Sequence, residues 1–251
     1  MAMLQAVLLD ISGVLHVDDQ PLPGALQAVR LLQARGVPLR LITNTSRQGR
    51  AALHRQLTAM GFAVDPEQIF TAPRAVLRHV RAQGLRPYCL IHPGLEEEFA
   101  DLLDLPDPNA VVLGDAELRF DYAHLDCAFQ LLVDGAPLIC MGDNRYFRSQ
   151  GALHLDAGPF VRALEFAAGT SALVLGKPSA AFFASALDDL GTSAASTLMI
   201  GDDVEADVLG AQQAGLPACL VRTGKYRAGD ESRAPSAWVA ADLTEAVKHF
   251  R

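Results

Sequence analysis

Cysteine, tryptophan and basic residues are scarce in this chain of 251 residues, and each scarcity excludes something. There are four cysteines and one tryptophan, and 21 Lys plus Arg stand against 29 Asp plus Glu, a formal charge of −8. Cys89, Cys127, Cys140 and Cys219 form no CxxC pair, so neither a zinc site nor a disulfide framework is expected. Reduced, mostly buried thiols fit a reducing compartment. An acidic chain without a basic block is a poor partner for nucleic acid or an anionic membrane surface, although a local site can oppose the net charge and take phosphate. The opening MAMLQAVLLD has no basic region, and its apolar run stops at Asp10. That is the pattern of neither a signal peptide nor a membrane span, and it predicts a cytoplasmic protein. Internal repeats and low-complexity tracts are also lacking.

What the chain does have is a core. Half of its residues are apolar and a fifth are charged, as in a folded protein. At ~150 residues per domain the length predicts one or two domains. AVLLD (6–10) reads as a buried strand and 23–35 as a helix stopped by Gly36. VPLRLITN (37–44) reads as a strand, and 46–61 as a helix capped by Ser46 and stopped by Gly61. The alternation resumes with a strand SALVLG (171–176), a helix over 177–191, a strand over 196–203, a helix over 205–215, a strand over 217–224 and a last helix over 242–251. Strand and helix in alternation predict a parallel α/β sheet. The middle has strands of its own at 87–92, 109–114 and 137–142, with helical patterns at EEEFADLL (96–103) and HLDCAFQLLVDG (124–135). The expected fold is therefore α/β: a Rossmann-like parallel-sheet core over 1–73 and 171–251, with an inserted α/β domain over 74–170.

Four loops follow four apolar strands: Asp10-Ile-Ser12-Gly13, Thr43-Asn44, Gly176-Lys177-Pro178 and Gly201-Asp202-Asp203. In a parallel sheet such loops share the edge where ligands bind. Carboxylates, hydroxyl, amide and ammonium around one crevice suit a phosphate and a hard cation such as Mg2+. A carboxylate that attacks phosphate faces like charge, roughly 4 kcal/mol per pair of unit charges at ~4 Å and an effective dielectric of ~20. A metal held by Asp10 and Asp202, with Lys177 opposite, would supply the opposing charge. Thr43 and Asn44 can donate hydrogen bonds to the transferred group. In the middle segment, Asn144, Arg145 and Tyr146 of the polar loop 142–151 are candidates for choosing the leaving group.

DISGVL (10–15), ITN (42–44), GKP (176–178) and GDDVEAD (201–207) resemble, in order, the four motifs of the haloacid dehalogenase superfamily. The 134 positions from Thr43 to Lys177 leave room for the α/β cap of its NagD-like branch. LLDISGVL (8–15), GLRPYCLIH (84–92), LDAGPFVRALEFAAG (155–169) and VRTGKYRAGDE (221–231) are similar to the group of phospholysine, phosphohistidine and pyrophosphate phosphatases within that branch. The resemblance implies that Asp10 is a nucleophile forming an aspartyl-phosphate and a ligand of Mg2+. It implies that Ser12 offers its backbone carbonyl to the metal and that Asp202 is the second carboxylate there. By the same resemblance Ser12, Thr43, Asn44 and Lys177 bind the phosphoryl group, and Asp203 or Asp207 orients metal-bound water. A small phosphorylated substrate and a homodimer are expected on the same ground.

Ser12 departs from the pattern. Most phosphatases of the superfamily carry aspartate two positions after the nucleophile, where it protonates the leaving group. Serine cannot, and such help is worth ~10²–10⁴-fold. Pyrophosphate, phosphoramidates and aryl phosphates, which expel good leaving groups, are therefore expected over alkyl phosphates. His16 is the nearest titratable substitute. The competing readings are a catalytically weak phospho-ligand-binding protein and a halide-releasing enzyme; an acidic metal cluster is of little use to the latter.

Overall fold

The computed structural model describes residues 4–149 and 151–250. Gln150, in the polar loop, and Arg251, at the end of the last expected helix, lie outside the described residues. In chain order the strands are β1 (Ala6–Asp10), β2 (His16–Val17), β3 (Gln20–Pro21), β4 (Leu39–Thr43), β5 (Ile69–Thr71), β6 (Pro87–Leu90), β7 (Ala110–Leu113), β8 (Leu138–Cys140), β9 (Tyr146–Ser149), β10 (Ala152–Leu155), β11 (Leu173–Val174), β12 (Thr197–Gly201), β13 (Ala218–Val221) and β14 (Trp238–Ala240). The chain forms two compact units. One comprises 1–43, 51–70 and 177–251, the other 44–50 and 71–176. The segment 44–50 thus groups with the second unit, although linear reading places it in the first.

The first unit is built on a six-stranded sheet in the order β14-β13-β12-β1-β4-β5. β1 lies parallel to β12 on one side and to β4 on the other. All five residues of β1 are buried, as a continuous apolar run between two covered faces must be. Val7 and Leu9 join Leu41, Leu198 and Ile200 against the helices Ala25–Ala34 and Arg50–Ala59. Further along the chain, Phe182 packs edge-on against Phe183 and tilted against Phe70. From β1 the chain adds β4 and β5 on one side, then returns to add β12, β13 and β14 on the other. The order reverses between β1 and β12, the switch point beyond whose carboxyl ends such sheets bind ligands.

The second unit carries a four-stranded sheet, β11-β8-β7-β6, with parallel neighbours, and an antiparallel hairpin β9–β10. Helices Ala72–Ala82, Tyr122–Val133 and Gly158–Ala168 belong to it. Its polar-loop residues Asn144, Arg145 and Tyr146 are exposed, and a concavity of about 700 Å³ is lined by Arg145, Tyr146, Leu153, Leu155 and Arg162. Of the cysteines, Cys140 and Cys219 are buried, Cys89 is half-buried and Cys127 exposed, and all are free. Among the described residues no helix is long and apolar enough to cross a membrane.

Several elements differ from their sequence pattern. The helix expected from Ser46 begins at Arg50, whose N–H donates to Glu98 Oε2 at 2.9 Å; a distant carboxylate replaces the local cap. EEEFADLL is a run of turns, Leu102 N–H bonding Phe99 O and Glu98 N–H bonding Leu95 O, in the ten residues between Pro93-Gly94 and the LPDP link. SALVLG yields only β11, which pairs with β8 in the second sheet rather than extending the first. The helix over 205–215 opens as a π-turn, Val204–Leu209. The β2–β3 hairpin, β5 and the helix Ala72–Ala82 have no counterpart in the sequence reading.

Arg40 on β4 reaches the helix Ala180–Leu190, which Ser179 caps and Gly191 ends. Its Nε donates to Asp189 Oδ2 and a terminal nitrogen to Asp189 O, both at 2.7 Å, and Asp189 is 4% exposed. Removing Arg40 takes two hydrogen bonds and the opposing charge from a nearly buried carboxylate. We expect Arg40→Ala to lower unfolding free energy by about 3 kcal/mol in urea titration; a loss under about 0.5 kcal/mol would show that water satisfies Asp189 instead.

Candidate active site

Because β1 and β12 are neighbours in register, with Leu9 opposite Ile200, Asp10 and Asp202 emerge side by side. Lys177 enters between them and the turn that follows. Its Nζ donates to Asp10 Oδ1 at 2.5 Å and to Asp207 Oδ1 at 2.6 Å. Asp207 lies in the π-turn, a feature frequent at functional sites. Its second oxygen accepts the Asp203 N–H at 3.1 Å. Ligand oxygens of Asp10, Asp202 and Asp207 all lie within 4.8 Å of one another, and all three residues are buried.

Asp203 faces the other way. Its Oδ1 accepts from the Glu205 and Ala206 N–H groups, both at 3.0 Å, and so caps the turn. Its Oδ2 meets Lys225 Nζ at 3.2 Å. Asp202 Oδ2 accepts the Lys225 N–H at 2.6 Å, while Asp202 Oδ1 is buried without a hydrogen-bond partner. Two glycines make room for this carboxylate. Gly13 (φ +86°) and Gly224 (φ +56°) occupy left-handed backbone, and a Cβ on either would stand 2.0 Å from Asp202 Oδ2.

Crowding three carboxylates out of water perturbs their titration. Burial raises Asp10, against the pull of the Lys177 ammonium. Burial pushes Asp202 up to about 6, with Asp207 adding repulsion. Asp207 is likewise pushed up to about 6 by burial, the Lys177 charge restraining the shift. Burial opposes the charge on Lys177, but Asp10 and Asp207 outweigh it and hold the ammonium protonated. At Asp203 burial is outweighed by its amide bonds and by Lys225, so this carboxyl stays below its usual range.

The donor set, all oxygen, fits a hard divalent cation. An orphaned buried carboxylate oxygen on Asp202, beside Asp10, is what such an ion satisfies. Ser12 is exposed in the loop after β1, where its backbone bridges to His16. His16 is buried, and its Nδ1 lies 2.6 Å from Asp18 O. Thr43 ends β4 one residue past Ile42, the partner of Asp10, and is half-buried. Asn44 begins the second unit, where a Cβ on Gly176 would stand 3.2 Å from its Oδ1. Lys225 was missed by the sequence reading, which gave the loop 224–231 no chemistry. The signal was available: β13 is one more parallel strand beside β12, so its loop falls on the same edge.

Comparison with known proteins agrees with this geometry. A haloacid dehalogenase-like hydrolase model matches residues 7–102, and a HAD-hydrolase-like model matches 174–246. Haloacid dehalogenase-like hydrolase domain-containing protein 2 of Bos taurus is 42% identical over 98% of this chain and 96% of its own length. The human phospholysine phosphohistidine inorganic pyrophosphate phosphatase is 42% identical over 92% of this chain and 87% of its own. The 4-nitrophenylphosphatase of Thermotoga maritima superposes with a TM-score of 0.87 at 27% identity, covering 98% of this chain and 97% of that one. The chain thus belongs to the haloacid dehalogenase-like hydrolase family and is a hydrolase of its phosphatase class, with a NagD-like fold.

Proposed function

We propose that the chain is a Mg2+-dependent phosphohydrolase that cleaves pyrophosphate, phosphoramidate (P–N) and aryl phosphate substrates through an aspartyl-phosphate on Asp10. The observation that carries this is the buried trio Asp10, Asp202 and Asp207, with Lys177 clasped inside it and Asp202 Oδ1 left unpaired. The identity to a pyrophosphate and P–N phosphatase supports the substrate class.

Asp10, Asp202 and the Ser12 carbonyl would hold the cation, which when bound supplies positive charge against the phosphoryl oxygens. Lys177 neutralises Asp10 and holds the attacking carboxylate in one orientation, while Asp207 fixes Lys177 from behind. Asp203 shapes the turn that presents Asp207. Thr43 and Asn44, by their place at the end of β4, donate to the transferred group. Asp10 attacks phosphorus, and the bond to the leaving group breaks with its electron pair going to that group. With serine at position 12 no carboxylic acid protonates it, so leaving groups stable as anions are favoured. The inserted domain over 74–170 as cap, cytoplasmic residence and a homodimer belong to the same proposal, on the resemblance alone.

Phosphate release with and without MgCl2 tests this. Metal-dependent release is expected from pyrophosphate, imidodiphosphate and an aryl phosphate, with little from glycerol phosphate. Strong glycerol phosphate turnover would retain the phosphatase and sink the leaving-group argument. Asp10→Asn should cut turnover roughly a thousandfold or more, while the fold melts as before; residual turnover near that of the parent would rule out Asp10 as nucleophile.

A pH dependence follows from Asp202 and Asp207. Both have folded pKa values raised from 3.8 to about 6, so the folded state holds protons that the unfolded state has released. Without cation, their contribution to stability falls as pH rises from about 4 to about 6 and is level above. Protons compete with the cation for the same carboxylates. The rise in Tm on adding MgCl2 should therefore be small at about pH 5 and larger at about pH 7.5. Equal shifts at both would mean that the cation binds elsewhere.

A further inference from the structure

The loop after β13 is fastened to the loop after β1 at two points and to Asp202 at a third. Thr223 Oγ1 donates to Gly13 O at 2.5 Å, the Lys225 N–H donates to Asp202 Oδ2 at 2.6 Å, and Gly224 comes so close that a Cβ there would stand 2.5 Å from Gly13 Cα. The backbone of Lys225 is therefore held against the acidic cluster. Its side chain is not. Lys225 is 70% exposed, against 5% for Lys177, and its ammonium rests on Asp203 at 3.2 Å. Asp203 does not depend on that contact, since its other oxygen already receives two amide hydrogens. An exposed pair of this kind is weak and readily released.

We infer that Lys225 is a specificity-determining residue whose ammonium leaves Asp203 to bind an anionic leaving group, the phosphate expelled from pyrophosphate above all. This deepens the proposed function and rests on it. In that step the Asp10 oxygen forms a bond to phosphorus and the bridging P–O bond breaks. The electron pair stays on the departing phosphate, an oxyanion stable in water near neutral pH, which therefore leaves without a proton from the enzyme. Ser12 supplies no acid there, so a fixed positive charge beside the departing oxygen does what protonation would otherwise do. Lys177 is already committed to Asp10 and Asp207 and is buried behind them. Lys225 approaches from the solvent side, the side a leaving group must take.

The test compares wild type with Lys225→Gln, Lys225→Ala and Lys225→Arg on pyrophosphate and 4-nitrophenyl phosphate, with MgCl2. All three variants keep the backbone N–H that Asp202 uses, and their melting is measured alongside. In Lys225→Gln and Lys225→Ala, kcat/KM for pyrophosphate should fall roughly tenfold to a hundredfold, while that for 4-nitrophenyl phosphate changes by less than about threefold. Lys225→Arg should retain most of the pyrophosphate activity. Equal losses on both substrates would show that the residue only braces the loop, and no loss on either would show that it is idle; both overturn the inference and leave the phosphatase reading intact. Wild type that cleaves 4-nitrophenyl phosphate but not pyrophosphate overturns the inference as well. Wild type that releases phosphate from neither substrate, with or without Mg2+, overturns the proposed function instead.

Discussion

One buried ammonium organises this molecule's chemistry. Lys177 sits 5% exposed, bonded to Asp10 and Asp207, in a pocket that also holds Asp202. None of these charges would be stable there alone, because taking an ion out of water costs several kcal/mol even after relaxation. The arrangement is stable only as a set, and that requirement reaches outward. Asp207 must be presented at one height above the sheet, and a π-turn in place of the expected α-helical turn opens that segment. The turn must be capped, and Asp203 caps it. Asp202 must fit beside the loop after β1, and two glycines with positive φ leave it space.

The sheet supplies the rest at little extra cost. A parallel sheet whose strand order reverses between β1 and β12 brings their ends together without any contribution from the side chains that end there. Function then needs only the right residues just past the strand ends. That explains why Asp10 and Asp202 stand within reach of each other although 192 positions separate them.

Much of this was legible because strands buried on both faces write themselves as short apolar runs. β1, β12 and β13 were each found at or near their true limits, and Asp10 and Asp202 could be placed by their position after such runs. Lys177 was found by the same rule for a partly mistaken reason. The run before it is not a strand of the first sheet; it pairs with β8 in the second. Local pattern reports that a segment is apolar and extended, but the partner it pairs with is a long-range property. Helix starts failed where the cap came from far away, as at Arg50 and Glu98. The loop carrying Lys225 was passed over because its main contact with Asp202 is a backbone N–H, which any residue but proline offers.

The same contact bears on how the site can be filled. Asp10, Asp202 and Asp207 against Lys177 leave two formal negative charges in a buried pocket. A phosphoryl dianion meets roughly 8 kcal/mol of repulsion from each uncompensated unit charge at ~4 Å and an effective dielectric of ~20. Two such terms exceed what a pair of donors such as those proposed at Thr43 and Asn44 would return, at about 1.5–3 kcal/mol for a charged hydrogen bond. The rim pair of Asp203 and Lys225 is neutral as a unit and changes nothing while closed. Substrate entry therefore requires the pocket to gain positive charge first. Two unit charges would balance the pocket, and on the proposed function an oxygen-only donor set with one buried carboxylate oxygen unpaired suits a single divalent ion better than further lysines.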